Sequence, residues 1–255
     1  MNLRLRRALP KLVATAALTA AVAIVLILSR PHEGDMPSHG HHVADLRAEG
    51  IRLQQQGELA GALAKFREAV RIAEQERMKP ALAANRIAIA TVHLTEERYD
   101  EARTELQQAL ATAREIGNRI EAAAALAYLG QVRRLQGRPE EAEAALKEAL
   151  DLAGSVPARP RALASFQMGE LRRARGDLAG ALAAYREAHA VLREMGDAPG
   201  QAAILISIGR IQAALGDAGA AANTLGEARD RLHRLGYAQR AAELEGEIAA
   251  LAAKR

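Results

Sequence analysis

Residues 129–150 have the sequence LGQVRRLQGRPEEAEAALKEAL, and residues 168–189 have the related sequence MGELRRARGDLAGALAAYREAH. Few letters agree between the two stretches, but small residues recur at the same offsets. The matching pairs are Gly130 and Gly169, Gly137 and Gly176, Ala142 and Ala181, and Ala149 and Ala188. A chain that keeps small residues at fixed offsets, while the residues between them vary, indicates a repeated structural unit.

The repeat extends along most of the chain in steps of about forty residues. The first recurring residue, the small position, is Gly50, Ala90, Gly130, Gly169 and Gly209. Seven residues later, the turn position is Gly57, Glu97, Gly137, Gly176 and Gly216. The large position, sixteen residues after the small one, is Phe66, Leu106, Leu146, Tyr185 and Leu225. The alanines twelve residues after the small position are Ala62, Ala102, Ala142, Ala181 and Ala221. Those nineteen residues after it are Ala69, Ala109, Ala149, Ala188 and Ala228.

This spacing predicts two helices in each unit, joined near the turn position. Glycine just past a helix end adopts the left-handed conformation that other residues resist. Asp177 and Asp217 then offer N-cap oxygens to the next helix, and Pro139 suits its first turn. The small position and the alanine twelve residues later would let the two backbones approach closely. We expect the large position to pack against the neighbouring unit, so that the units stack into a solenoid.

The composition also favours closely packed helices. The 255 residues include no cysteine or tryptophan and only 2% aromatic residues, so Ala, Leu, Ile and Val must build the core. Without cysteine there is no disulfide, thiolate nucleophile or thiolate metal site. Four basic and no acidic residues lie in the first eleven positions, and the other 31 basic residues balance 31 acidic ones. Nucleic acid is therefore not an expected partner.

The first thirty residues predict a membrane anchor. A basic head (residues 1–11) precedes residues 12–29, which carry no charge and would span about 27 Å as a helix, close to a hydrocarbon core of about 30 Å. A signal peptide is the alternative, but its apolar region is usually about 7–15 residues before a small-x-small site, which is missing here. Because basic residues resist translocation, we expect a single-pass protein of the bacterial inner membrane, with its N-terminus in the cytoplasm and its repeats in the periplasm.

Residues 30–42 are rich in proline, glycine and histidine and predict an irregular tether. Its imidazole groups could bind a transition metal, although their spacing matches no known ligand pattern. The weak metal candidates are His32, His39, His41 and His42.

The five recurring positions resemble the tetratricopeptide repeat, in the longer variant of about forty residues found in spindle-orientation adaptors and kinesin light chains. The resemblance implies an all-α, right-handed α-solenoid of five helix-turn-helix repeats over residues 43–236. The expected repeats are 43–79, 80–119, 120–159, 160–199 and 200–236, followed by a capping helix over 237–255. The aromatic residue usual three positions after the small one is replaced here by Leu53, His93, Arg133, Arg172 and Gln212.

In this family the first helix of each pair lines a concave groove that holds partner peptides. Carried over position by position, the resemblance implies a groove able to hold a segment with acidic groups. Its polar and aromatic wall is Arg47, Tyr128, Gln131, Arg134, Phe166, Gln167, Glu170, Arg173 and Arg210. Ile87, Thr91 and Ile206 complete it. The family's carboxylate-clamp subtype is not expected, because its Lys and Asn residues are missing.

No motif points to an enzyme: the Walker loop, H-E-x-x-H, G-x-S-x-G and Rossmann glycine patterns are all absent. The leading hypothesis is a membrane-anchored scaffold for a protein or peptide partner, serving assembly or chaperoning of an envelope, secretion or cytochrome-maturation complex. It needs no cofactor and no small-molecule substrate. The alternatives are a metal-responsive sensor or carrier that uses the His-rich tether, and a cytoplasmic-facing regulator.

Overall fold

The computed structural model describes residues 38–253 and consists there entirely of α-helices and their connectors. This part of the chain contains eleven helices. Their bounds are α1 Ser38–Gln55, α2 Leu59–Gln75, α3 Lys79–Thr95, α4 Tyr99–Glu115, α5 Arg119–Leu135, α6 Pro139–Ala153, α7 Arg159–Ala174, α8 Leu178–Glu194, α9 Ala198–Ala214, α10 Ala218–Arg234 and α11 Ala238–Ala252. The prediction of an all-α fold is confirmed.

Consecutive helices pack as pairs, and the pairs stack in chain order. We call the pairs units 1 to 5: α1–α2, α3–α4, α5–α6, α7–α8 and α9–α10. The last helix, α11, packs on α10. The helix-turn-helix solenoid predicted from the repeat is therefore present.

Nine of the ten connectors between these helices have three residues and share one hydrogen-bond pattern. At the turn position of unit 3, the N–H of Gly137 donates to the carbonyl of Arg134 over 3.1 Å, and the N–H of Arg138 donates to that of Arg133 over 2.8 Å. This is the Schellman motif, which needs a left-handed residue after the helix. Glycine supplies it in most connectors, but Arg77 and Glu97 adopt positive φ angles of 55° and 58°.

The connector between units 3 and 4 differs from the other nine. It runs over residues 154–158, and Gly154 has φ 62° and ψ −151°, a combination essentially restricted to glycine. Val156 in this connector is 60% exposed. The first helices on either side, α5 and α7, pack more extensively on each other than any other two first helices.

The small positions allow the close packing within each unit that the repeat predicts. A Cβ atom added at Gly130 would lie 2.6 Å from the Leu146 side chain and 3.3 Å from the Ala142 carbonyl oxygen. The Tyr185 ring covers Gly169 in the same way, at 2.5 Å. The predicted backbone approach is confirmed. The large residue covers the small position of its own unit. Leu146 also shares an apolar cluster with buried residues of α7 in the neighbouring unit, so the expected packing between units is present as well.

One continuous apolar cluster passes through the middle of the solenoid, from Ala83 in α3 to Ile211 in α9. The second helices bury one face, whereas the first helices are buried almost all round. Every residue is buried over 87–94 in α3, 125–132 in α5 and 162–171 in α7. The many alanines and glycines on these helices let neighbouring helices surround them.

The N-terminal predictions fall mainly outside the described residues, which begin at Ser38. The basic head and the predicted span 12–29 lie outside the described residues. Among residues 38–253, no helix combines the length and apolarity needed to cross a bilayer. The predicted tether is wrong at its end, because residues 38–42 are the first turn of α1 rather than irregular chain.

Candidate functional site

The structure buries five of the nine predicted groove residues. Their exposed fractions are 3% for Tyr128, 2% for Gln131, 1% for Phe166, 0% for Gln167 and 7% for Glu170. The prediction that these side chains face a partner is therefore corrected, since the close packing of the first helices leaves them almost no surface. The apolar wall residues Ile87 and Ile206, together with Thr91, are buried as well.

Some of these buried polar groups hold the first helices together. The Gln54 amide in α1 donates to the Thr91 hydroxyl in α3 over 3.2 Å, inside the protein. In contrast, neither amide atom of Gln167 has a hydrogen-bond partner among the described residues, and the side-chain oxygen of Gln131 has none there either. Buried amides of this kind cost folding free energy.

The four remaining predicted residues are arginines with some exposure. Arg210 is exposed, but its guanidinium makes two hydrogen bonds to Glu247 in α11, at 2.6 and 3.1 Å. It therefore joins unit 5 to the last helix. Arg47, Arg134 and Arg173 are half-buried, and their partner-binding role remains a prediction.

Unit 4 contains a buried polar cluster around Glu170. The Tyr185 hydroxyl donates to one oxygen of this carboxylate, and the Arg173 guanidinium donates to the other over 2.8 Å. Burial, followed by the negative charge of Glu170, raises the pKa of Tyr185, so the phenol stays protonated and acts as the donor. The Phe166 ring, 5.6 Å from that of Tyr185 between centroids, closes the apolar side.

Arg134 lies at the edge of this cluster, within range of the charges of Glu170 and Arg173, but its guanidinium makes no hydrogen bond to the described residues. Its Nε is buried and lacks a hydrogen-bond partner, and its guanidinium forms no ion pair with the described residues. Burial is the largest influence on its pKa and lowers it, opposed by the charge of Glu170 and reinforced by that of Arg173. Tyr99, the first residue of α4, is close enough for Arg134 to affect its pKa.

Arg47, in the first helix of unit 1, is a second half-buried arginine whose Nε has no hydrogen-bond partner within residues 38–253. Burial lowers its pKa, and the charge of Glu121 in α5 opposes this. The same burial raises the pKa of Glu121, which Arg47 partly offsets. Units 1 and 3 therefore place opposite charges near each other across unit 2.

Sequence reasoning did not identify Tyr99 and Glu121 as members of these clusters. It also missed the hydrogen bond from the Tyr185 hydroxyl to Glu170. One usable indication was present. Tyr185 is the only tyrosine among the large positions, and a buried tyrosine hydroxyl normally finds a hydrogen-bond partner. Glu121 and Tyr99 had no such indication, because their neighbours come from other units.

The histidines of the described residues belong to no group of potential metal ligands. His93 is buried, and its Nδ1 lies 3.6 Å from a Glu96 oxygen. Within residues 38–253, no three His, Asp or Glu side chains are grouped to hold a metal ion. Of the tether histidines, His41 and His42 are exposed on α1, and His32 lies outside the described residues.

Comparison with known families and structures agrees with this architecture. Residues 80–155 match the tetratricopeptide repeat family. The match covers units 2 and 3 apart from Lys79, and the other units share their helix pairing and Schellman turns. No curated protein gave a significant match to the sequence.

Several solved structures share the tetratricopeptide-like fold at low identity. A thermophilic TPR protein of Thermus thermophilus has a TM-score of 0.58 and 19% identity, covering 82% of this chain and 98% of that one. The Rap conjugation gene regulator of plasmid pLS20, solved with the Phr* peptide, has a TM-score of 0.66 and 17% identity, covering 79% of this chain and 57% of that one. The Cut9–Hcn1 hetero-tetramer of the APC/C has a TM-score of 0.61 and 17% identity, covering 85% of this chain and 37% of that one.

Proposed function

We propose that this chain is a non-catalytic scaffold that holds a protein partner against the first-helix face of its solenoid. The observation that carries the proposal is the stack of five tetratricopeptide-like helix pairs, part of which matches that family. Two structures of similar fold were solved with a peptide or a protein subunit, which supports the same use here. The half-buried arginines of the first helices supply polar groups for such a partner.

We further propose that residues 12–29 anchor the chain in a bacterial inner membrane with the repeats in the periplasm, where they assist assembly of an envelope, secretion or cytochrome-maturation complex. The uncharged run and the basic head before it support this. Alkaline phosphatase, which is active only outside the cytoplasm, is fused after Arg255. An active fusion is expected, and an inactive but stable fusion would overturn this orientation.

Co-purification from the native membrane tests the scaffold function. The full chain should recover a reproducible protein partner, and the double variant Arg47→Ala, Arg173→Ala should recover much less of it. Lys147→Ala is the matched control, because Lys147 is a basic residue on the exposed face of a second helix and, in the described part of the chain, pairs with Glu143 alone. Circular dichroism establishes that both variants are folded. Equal recovery by all three proteins contradicts the proposed binding face.

A further inference from the structure

The polar cluster at the junction of units 3 and 4 holds more positive than negative charge. Arg134 from α5 and Arg173 from α7 face one carboxylate, that of Glu170. Both oxygens of Glu170 already accept hydrogen bonds, one from Tyr185 and one from Arg173. Among the described residues, Arg134 is thus the member of the cluster without an acidic partner of its own.

An arginine in this position is costly to keep. A charge withdrawn from water without a paired carboxylate loses solvation that nothing replaces. The unpartnered, buried Nε and the pKa of Arg134, lowered first by burial, both describe this condition. The neighbouring Arg133 differs, since its guanidinium lies 3.7 Å from a Glu141 carboxylate oxygen and donates to the Glu141 carbonyl over 3.1 Å.

Arg134 is half-buried, so part of its side chain remains accessible to a partner. Tyr99 and Leu135, both half-buried, pack at this edge of the main apolar cluster. A guanidinium with free donors is suited to a carboxylate, which it can bind through two parallel hydrogen bonds.

We propose that Arg134 is the anchor for an acidic side chain of a bound protein segment, which completes the two-arginine cluster at the junction of units 3 and 4. This inference rests on the proposed scaffold function and names the chemistry of its partner. The occupant is an aspartate or glutamate side chain, because it restores the missing negative charge. In the bound state, two arginines and two carboxylates balance.

Selection of displayed peptides against the full chain tests this directly. A library of random ten-residue peptides should yield binders enriched in Asp or Glu at one position. Replacing that residue by Asn or Gln in a selected peptide should weaken binding to the unchanged protein about tenfold or more, as for loss of a charged hydrogen bond.

Protein variants complete a double-mutant cycle with the same peptides. Arg134→Gln should weaken binding of the acidic peptide about tenfold or more, yet bind its amide counterpart as well as the unchanged protein does. Arg133→Gln, the adjacent control, should change binding less than about twofold. Circular dichroism and melting temperature verify that both variants are folded.

Each other outcome overturns the inference. Binders without acidic enrichment exclude an acidic partner, and equal losses in Arg133→Gln and Arg134→Gln indicate unspecific attraction between charges. Selection of chain ends rather than internal acidic residues favours a terminal carboxylate instead. If a native partner still co-purifies with Arg134→Gln at full yield, the scaffold function stands and only this site is rejected.

Discussion

Units 2 and 4 build the same helix pair from different residues. In unit 2 the small and large positions are Ala90 and Leu106, both fully buried, whereas unit 4 uses Gly169 and Tyr185. Glycine leaves room for the tyrosine ring, which lies where a Cβ would be. The tyrosine in turn brings a hydroxyl to Glu170. The comparison shows that one packing geometry accepts a purely apolar pair or one that supports a polar cluster.

The largest expected effect is at the small position of unit 4. Gly169→Ala places a Cβ about 2.5 Å from the Tyr185 ring and should lower the free energy of unfolding by about 3 kcal/mol through overpacking. Urea denaturation of the full chain measures this. Adding Tyr185→Leu should recover part of the loss, since it recreates the pair found in unit 2. If Gly169→Ala left the free energy of unfolding unchanged, glycine would not be required for the close contact with the Tyr185 ring.

Removing the tyrosine hydroxyl should have the second largest effect. Tyr185→Phe keeps the ring over Gly169 but deprives the buried Glu170 of one donor, at a cost of about 2 kcal/mol, the usual range for a bond to a charged group. Leu106→Ile in unit 2 serves as a comparison for an apolar change at the same position. A Tyr185→Phe variant as stable as the unchanged protein would deny this bond any role in stability.

The turn positions offer a smaller effect of opposite sign. Glu97 in unit 2 adopts φ 58°, whereas unit 4 has Gly176 at φ 80°. Glu97→Gly should therefore raise the free energy of unfolding by about 1 kcal/mol, because glycine adopts this conformation without strain. Gly176→Ala should lower it by a similar amount. Thermal unfolding compares the two variants. If both changed the stability in the same direction, this explanation would be contradicted.

The smallest expected effect concerns pH and His93, which occupies the position of Arg172 in unit 4. Burial is the main cause that lowers the pKa of His93, and Arg98 adds to it, while Glu96 and Glu101 oppose it. The unfolded chain, with an ordinary histidine pKa of about 6.5, then binds the proton more readily. Stability should be unaffected above that pH and decrease as the pH falls below it.

His93→Gln should make the decrease in stability between pH 7 and pH 5 less steep. Urea denaturation at several pH values measures this slope. His41→Gln, at an exposed position of α1, is the control and should leave the slope unchanged. Equal slopes for His93→Gln and the unchanged protein would exclude His93 as a source of acid sensitivity.

The repeat was predictable because each unit depends on contacts within about forty residues. Glycines at turn positions and alanines at fixed offsets report local requirements, namely a left-handed turn and a close helix approach. Asp177 and Asp217 were predicted as N-caps for the same reason, and each accepts the expected backbone hydrogen bond, at 2.8 and 2.9 Å. The Glu97 turn forms as well, although its sequence lacks the glycine.

The candidate site was less predictable, because it depends on how units sit against one another. Phe166 and Gln167 had the right positions for a groove, but the packing of neighbouring first helices buries them. Arg210, which was predicted to meet a partner, binds Glu247, a full repeat later in the chain. No offset within a unit reveals such contacts.

The amino-acid sequence by itself determined the helix pairs, their turns and their order, since these follow from backbone conformation and short-range packing. Only the tertiary structure decided which polar side chains are enclosed, which arginines find a carboxylate and which does not. The physical reason is that burial and charge pairing depend on the distance between units, which is set by the summed packing of the whole stack. Arg133 and Arg134 are adjacent in sequence, yet one has Glu141 beside it and the other has no ion pair among the described residues.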